Sequence, residues 1–115
     1  MDQTVAQDDL FKEFKSIMKT GNAKEFSKMV NQTVTIKILG EECNCNKAQA
    51  EIILRDFFKK YPPVEYEGIH QGKGKDGSKH YAIGKYTHPK GVLRIYLLVK
   101  QSQGNFLIDT LDFSE

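Results

Sequence analysis

Residues 79–100 read KHYAIGKYTHPKGVLRIYLLVK, two runs of β-branched and aromatic residues joined by Pro89-Lys90-Gly91, the pattern of an antiparallel hairpin. Setting Thr87 opposite Val92 fixes the register of the whole pair. Ile83 then faces Tyr96, Tyr81 faces Leu98, Lys85 faces Arg94 and Lys79 faces Lys100 on one side of the ribbon. The other side takes Ala82, Gly84 and Tyr86 with Leu97, Ile95 and Leu93, because successive side chains of a strand point to opposite faces. That second side is apolar throughout and is the expected core face.

Strands continue outward from the hairpin. Asp76-Gly77 is a two-residue turn signal before it and Gln103-Gly104-Asn105 a further turn after it, so everything from Val64 to the end reads as a four-strand meander. Upstream, NKAQAEIILRDFFKKY at 46–61 opens with Asn46 and Gln49 as a capping box and stops at Pro62-Pro63. Its stripe of Ala50, Ile53, Leu54, Phe57, Phe58 and Tyr61 is wide enough to cover a sheet. Matched against the small Ala82 and Gly84, it is expected to lie on the Ala82, Gly84, Leu93, Ile95 and Leu97 face. Thr33 to Leu39 alternates as a strand ended by Gly40, and a short strand runs through Cys43 to Cys45. Leu10, Phe11, Phe14, Ile17 and Met18 recur at helical spacing up to Gly21, and Asn22 with Glu25 marks a capping box for a second, short helix. The expected order is helix, helix, strand, strand, helix and four strands, an α+β chain.

Its 115 residues suit one domain, with an ordered core over 8–113 and a flexible 1–7. Hydrophobic residues at 39% and charged residues at 28% place the chain among ordinary globular proteins rather than disordered or membrane-spanning ones. No signal pattern opens it. The net charge of +2 hides a block: residues 71–100 carry +6, leaving −4 for the rest. Neither a groove-entering helix nor a stacking motif accompanies these cations, so they read as a solvated face and nucleic acid is not an expected partner. Cys43 and Cys45, one residue apart, leave a metal two ligands short and read as two small thiols on a strand. No cofactor and no metal are expected.

Several strings, taken with the element order, carry a family resemblance. GNAKEFSKMVNQTVTIKILG, NKAQAEIILRDFFKKYPP, IHQGKGKDGSKHYAIGKY and the final GNFLIDTLDF resemble the bacterial family called domain of unknown function 4783. The order of elements resembles the cystatin-like and nuclear transport factor 2-like superfamily, which wraps a strongly curved sheet around its helices as a cone. The resemblance spans about residues 8 to 113 and brings no catalytic motif. It implies an exported protein of the periplasm or cell envelope, and no shared role for Cys43 and Cys45, whose positions are not cysteines in the family's pattern.

Candidate chemistry is sparse. His70, between Gly68 and Gly72, is an imidazole with space around it, while the bland reading of the glycines is a bend in the sheet. His80 and His88 do not converge with it at metal-ligand spacing. The glycine-rich run 68–77 joins strands, not a strand to a helix, so it is no phosphate loop. Asp112 is expected opposite Ile95 on the core face, and Asp109 opposite Leu98, within reach of Lys100. Either carboxylate in an apolar cone, or the imidazole of His70, would be an acid-base candidate, which keeps a cofactor-independent enzyme using His70 or an aspartate as an alternative. The side bearing Tyr81, Ile83, Tyr96 and Leu98, extended by Leu107, Leu111 and Phe113, has an apolar centre with Lys79, Lys85, Arg94 and Lys100 around it. A sheet face that met only water would be polar there, so a contact surface is expected, for a second copy of the chain, another protein or a small ligand. The expected function is a noncatalytic binding module using the cone mouth or this aromatic face, with a structural subunit that dimerises through the face as a further alternative. No membrane insertion is expected.

Overall fold

The computed structural model describes residues 7–74 and 77–115. Nine elements follow the expected order: α1 Gln7–Thr20, α2 Ala23–Ser27, β1 Val30–Ile38, β2 Glu41–Cys45, α3 Lys47–Lys60, β3 Glu65–Lys73, β4 Lys79–His88, β5 Gly91–Ser102 and β6 Asn105–Ser114. Helix α1 thus begins within the segment expected to be flexible, of which residues 1–6 lie outside the described residues, as do Lys75 and Asp76 of the turn before β4.

Local signals account for the helix ends. Gly21 adopts a φ of +74° and its N–H donates to the Ile17 carbonyl at 2.8 Å, the left-handed stop that a Cβ would disfavour. Asn22 Oδ1 accepts the Glu25 N–H at 3.1 Å, but the Glu25 carboxylate takes the ammonium of Lys28 at 3.0 Å instead of closing a box. At α3 the box is complete, with Asn46 Oδ1 accepting from Gln49 N–H at 2.8 Å and Gln49 Oε1 accepting from Asn46 N–H at 2.9 Å.

One sheet holds all six strands in the order β2-β1-β6-β5-β4-β3. Every pair is antiparallel except β1 with β6, which run parallel. Strand β1 starts three residues earlier than its β-branched run suggests, because Val30 pairs with Ile108. Leu39 is no strand residue: with φ of +50°, followed by Gly40 at +92°, it forms the turn into β2. The β4–β5 register is as read from the hairpin, Thr87 opposite Val92 and Ile83 opposite Tyr96.

The helices cover one face of the curved sheet. Ala82, Tyr86, Leu93, Ile95, Leu97 and Val99 are buried beneath them. Helix α1 packs on β3 and β4, whereas α3 packs on α2, β1 and β2. The expectation that α3 lies over Ala82 and Gly84 is therefore corrected. The space above Gly84 is filled by the ring of Tyr66 from the neighbouring strand, so close that a Cβ at residue 84 would overlap it. Phe14 of α1 then meets Tyr66 edge-on at 5.8 Å. Helix α3 instead sends Phe57 between Tyr86, at 5.4 Å, and Phe113, stacked at 4.1 Å.

Cys43 and Cys45 are joined by a disulfide, with Cα atoms 5.5 Å apart, which corrects their reading as free thiols. Residues two apart on a strand share a face, and that Cα separation lies within the range a disulfide spans. Cys45 is buried opposite Val34, and Cys43 is half-buried opposite Ile36.

Two phenols are drawn into the interior. Burial pushes Tyr66 up to about 12 from the ordinary 10.0 and raises Tyr86 as well, and the Tyr86 hydroxyl donates to the Tyr61 carbonyl oxygen. A raised phenol holds its proton more tightly in the folded chain, so its share of stability is full below pH 10 and is lost as pH climbs toward 12. Stability should fall across that window, and Tyr66→Phe should make the fall shallower. Superimposable stability profiles for the two proteins between pH 10 and 12 would exclude Tyr66 as a source.

Candidate functional site

The face away from the helices is where the expected site residues gather. Alternation along β4 and β5 turns Tyr81, Ile83 and Lys85 outward together with Arg94, Tyr96 and Leu98. At its centre Tyr81, Ile83 and Leu98 are half-buried and Tyr96 is exposed, at 37%. Tyr81 and Tyr96 run nearly parallel, their ring centroids 6.4 Å apart at 24°. Tyr81 lies against Gly72 of β3, where any Cβ would strike its ring. His70 extends the row, its Nε2 3.2 Å from the Tyr81 hydroxyl. This exposed imidazole therefore sits at the rim of the aromatic row.

A bulge in β6 rearranges the far side of this face. From its turn the strand pairs Lys100 with Leu107 and Val99 with Ile108, but Leu98 then pairs with Thr110, leaving Asp109 as the extra residue. A one-residue shift exchanges the two faces beyond it. Leu111 and Phe113 accordingly turn inward and are fully buried, correcting their assignment to the outer face. Asp112 pairs with Tyr96 instead of Ile95 and turns outward, so the carboxylate expected on the core face is not there. Asp109 meets Lys100 at 3.5 Å, as its position suggested, and accepts the Thr110 hydroxyl at 3.1 Å. Among the described residues no three His, Cys, Asp or Glu side chains are grouped as a metal would need, and no helix is long and apolar enough to cross a membrane.

Sequence reasoning missed Ile69. It is the extra residue of a second bulge, between the pairs Gly68–Gly84 and His70–Ile83, and is 59% exposed. The only sequence signal is the glycine beside it. Val92, 48% exposed, completes the apolar surface at this end. Phe14, Phe57, Tyr66, Tyr86 and Phe113 are buried between the helices and the sheet. Open grooves border this packing, among them one of about 450 Å³ between α3 and the β1–β2 turn, lined by Ile38, Ile53, Phe57 and Tyr61, and another of about 450 Å³ between α1 and β3, lined by Phe14, Tyr66, Ala82 and His70.

A curved six-stranded sheet closed over three helices in this order defines a cystatin-like, nuclear transport factor 2-like domain. The family described as Domain of unknown function (DUF4783) matches residues 11–114, and the chain belongs to it. A family protein from Bacteroides ovatus superposes with a TM-score of 0.83 at 24% identity, covering 90% of this chain and 92% of that one. Another from Bacteroides uniformis gives 0.84 at 21% identity, covering 90% and 94%. An uncharacterised cystatin-like protein from Caulobacter vibrioides gives 0.73 at 14% identity, covering 95% and 86%. No curated protein matches the chain.

Proposed function

We propose that the chain is a noncatalytic binding module that acts through the outer face of its sheet. One observation carries this reading: Tyr81, Ile83, Tyr96 and Leu98 form an apolar centre on the face opposite the core, among Lys79, Lys85, Arg94 and Lys100. Such a surface gains little by facing water.

Replacing Ile83 and Tyr96 with glutamate should leave the fold intact and abolish what the face binds. The readouts are sedimentation of the wild type at high micromolar concentration and the NMR signals of Tyr81 and Tyr96 as ligands are added. A monomeric wild type whose tyrosine signals nothing moves would end the reading. Unfolding of the double variant would show that the face is core. A homodimer through this face is the second reading, supported by the same apolar centre. Against it, a twofold axis in the interface plane through the aromatic row would bring cations of one copy against cations of the other, a repulsive arrangement.

The reading includes an exported, cell-envelope setting, supported by the Cys43–Cys45 disulfide, since such bonds persist in oxidising compartments. Recovery of the native protein in the cytosolic fraction would contradict that setting.

A further inference from the structure

At one end of the outer face lies a cleft of about 340 Å³ lined by Ile69, Ile83, Gly84, Lys85, Val92, Arg94 and Glu115, a volume in the lower part of the range for ligand sites. Its walls are mainly apolar. The β3 bulge supplies one of them by turning Ile69 out beside Ile83. At its edge Lys85 and Arg94 stand directly opposite each other on adjacent strands, and like charges so placed destabilise a sheet. The other such pair, Lys79 with Lys100, is relieved by Asp109 at 3.5 Å. Lys85 and Arg94 make no ion pair among the described residues, although Glu67 is the cross-strand neighbour of Lys85 and Glu115 stands at the cleft's rim. An exposed apolar floor beside two cations that neither neighbouring carboxylate pairs within 4.0 Å suits a molecule with both characters.

Resting on the reading of the outer face as a binding surface, we propose that this cleft takes an amphiphilic carboxylate, its apolar chain on Ile69, Ile83 and Val92 and its headgroup between Arg94 and Lys85. The planar guanidinium presents paired donors that match a carboxylate's two oxygens, and the ammonium adds a point charge from the facing strand. A second copy of the chain is the poorer occupant, because it brings its own cations.

Decanoate below its micellar concentration is the probe, with decanol as the uncharged control, followed by methyl NMR of the full chain. Saturable shifts of the Ile69, Ile83 and Val92 methyls are expected with decanoate. K85Q/R94Q should weaken decanoate binding about tenfold or more while leaving decanol binding unchanged. The unfolding midpoint of K85Q/R94Q should stay level or rise, since a repulsive pair is removed, so a loss of binding is not a loss of fold. Absent or non-saturable shifts, or a K85Q/R94Q variant that binds decanoate as well as wild type, would overturn the proposal. Wild type that self-associates through Tyr96 yet ignores decanoate refutes this inference alone, whereas a face indifferent to both refutes the broader reading with it.

Discussion

Phe57→Ala is expected to destabilise the fold by about 3–5 kcal/mol, the usual cost of deleting a buried aromatic side chain. Phe57 is only 3% exposed and links helix to sheet. Its ring meets Phe113 stacked at 4.1 Å, Tyr61 at 5.2 Å, Tyr86 at 5.4 Å and Phe58 at 5.6 Å. The surrounding rings are held by one another and by the Tyr86 hydrogen bond to the Tyr61 carbonyl. The site therefore collapses poorly around the missing ring, which favours the upper part of that range. Urea denaturation measures it, and a midpoint indistinguishable from wild type would mean that α3 does not anchor the sheet through this residue.

Gly84→Val is expected to cost about 3 kcal/mol by overpacking. Valine favours a strand over glycine, but that preference spans only about 1 kcal/mol, less than the steric cost. A Cβ at residue 84 falls on the phenol end of Tyr66, and Tyr66, 5% exposed, is backed by Phe14 at 5.8 Å. The ring has little room to retreat. Adding Tyr66→Leu should recover part of the loss, because the two substitutions share one space and are not additive. Wild-type stability for Gly84→Val, or strict additivity with Tyr66→Leu, would show that the glycine is there for another reason.

Where an element is fixed by near neighbours in the chain, it is legible in the sequence. The Asn46–Gln49 box, the proline stop after Tyr61, the left-handed Gly21 and the Thr87–Val92 register are short-range matters of hydrogen bonding and backbone sterics. They decide where the elements lie and which side of β4 and β5 is core. The aromatic and basic outer face follows from the same alternation. The curved sheet is implied by the superfamily resemblance that the order of elements carries.

What the chain alone leaves undecided depends on partners distant in sequence. Two bulges change the site: one in β6 turns Asp112 out and Leu111 and Phe113 in, and one in β3 turns Ile69 out. A bulge is one extra residue accommodated by a neighbouring strand, and periodicity within a single strand does not reveal it. The parallel pairing of β1 with β6 joins residues 75 to 78 apart in the chain, and the space above Gly84 that α3 was expected to use is taken by Tyr66, backed by Phe14 of α1. By itself the sequence determined the elements, their order and the faces of the central hairpin, all set by local sterics and alternation. Only the tertiary structure decided which acids share the outer face, that Cys43 and Cys45 are bonded, and that Lys85 and Arg94 border a cleft, because each of these depends on how the strands pair and bend in space.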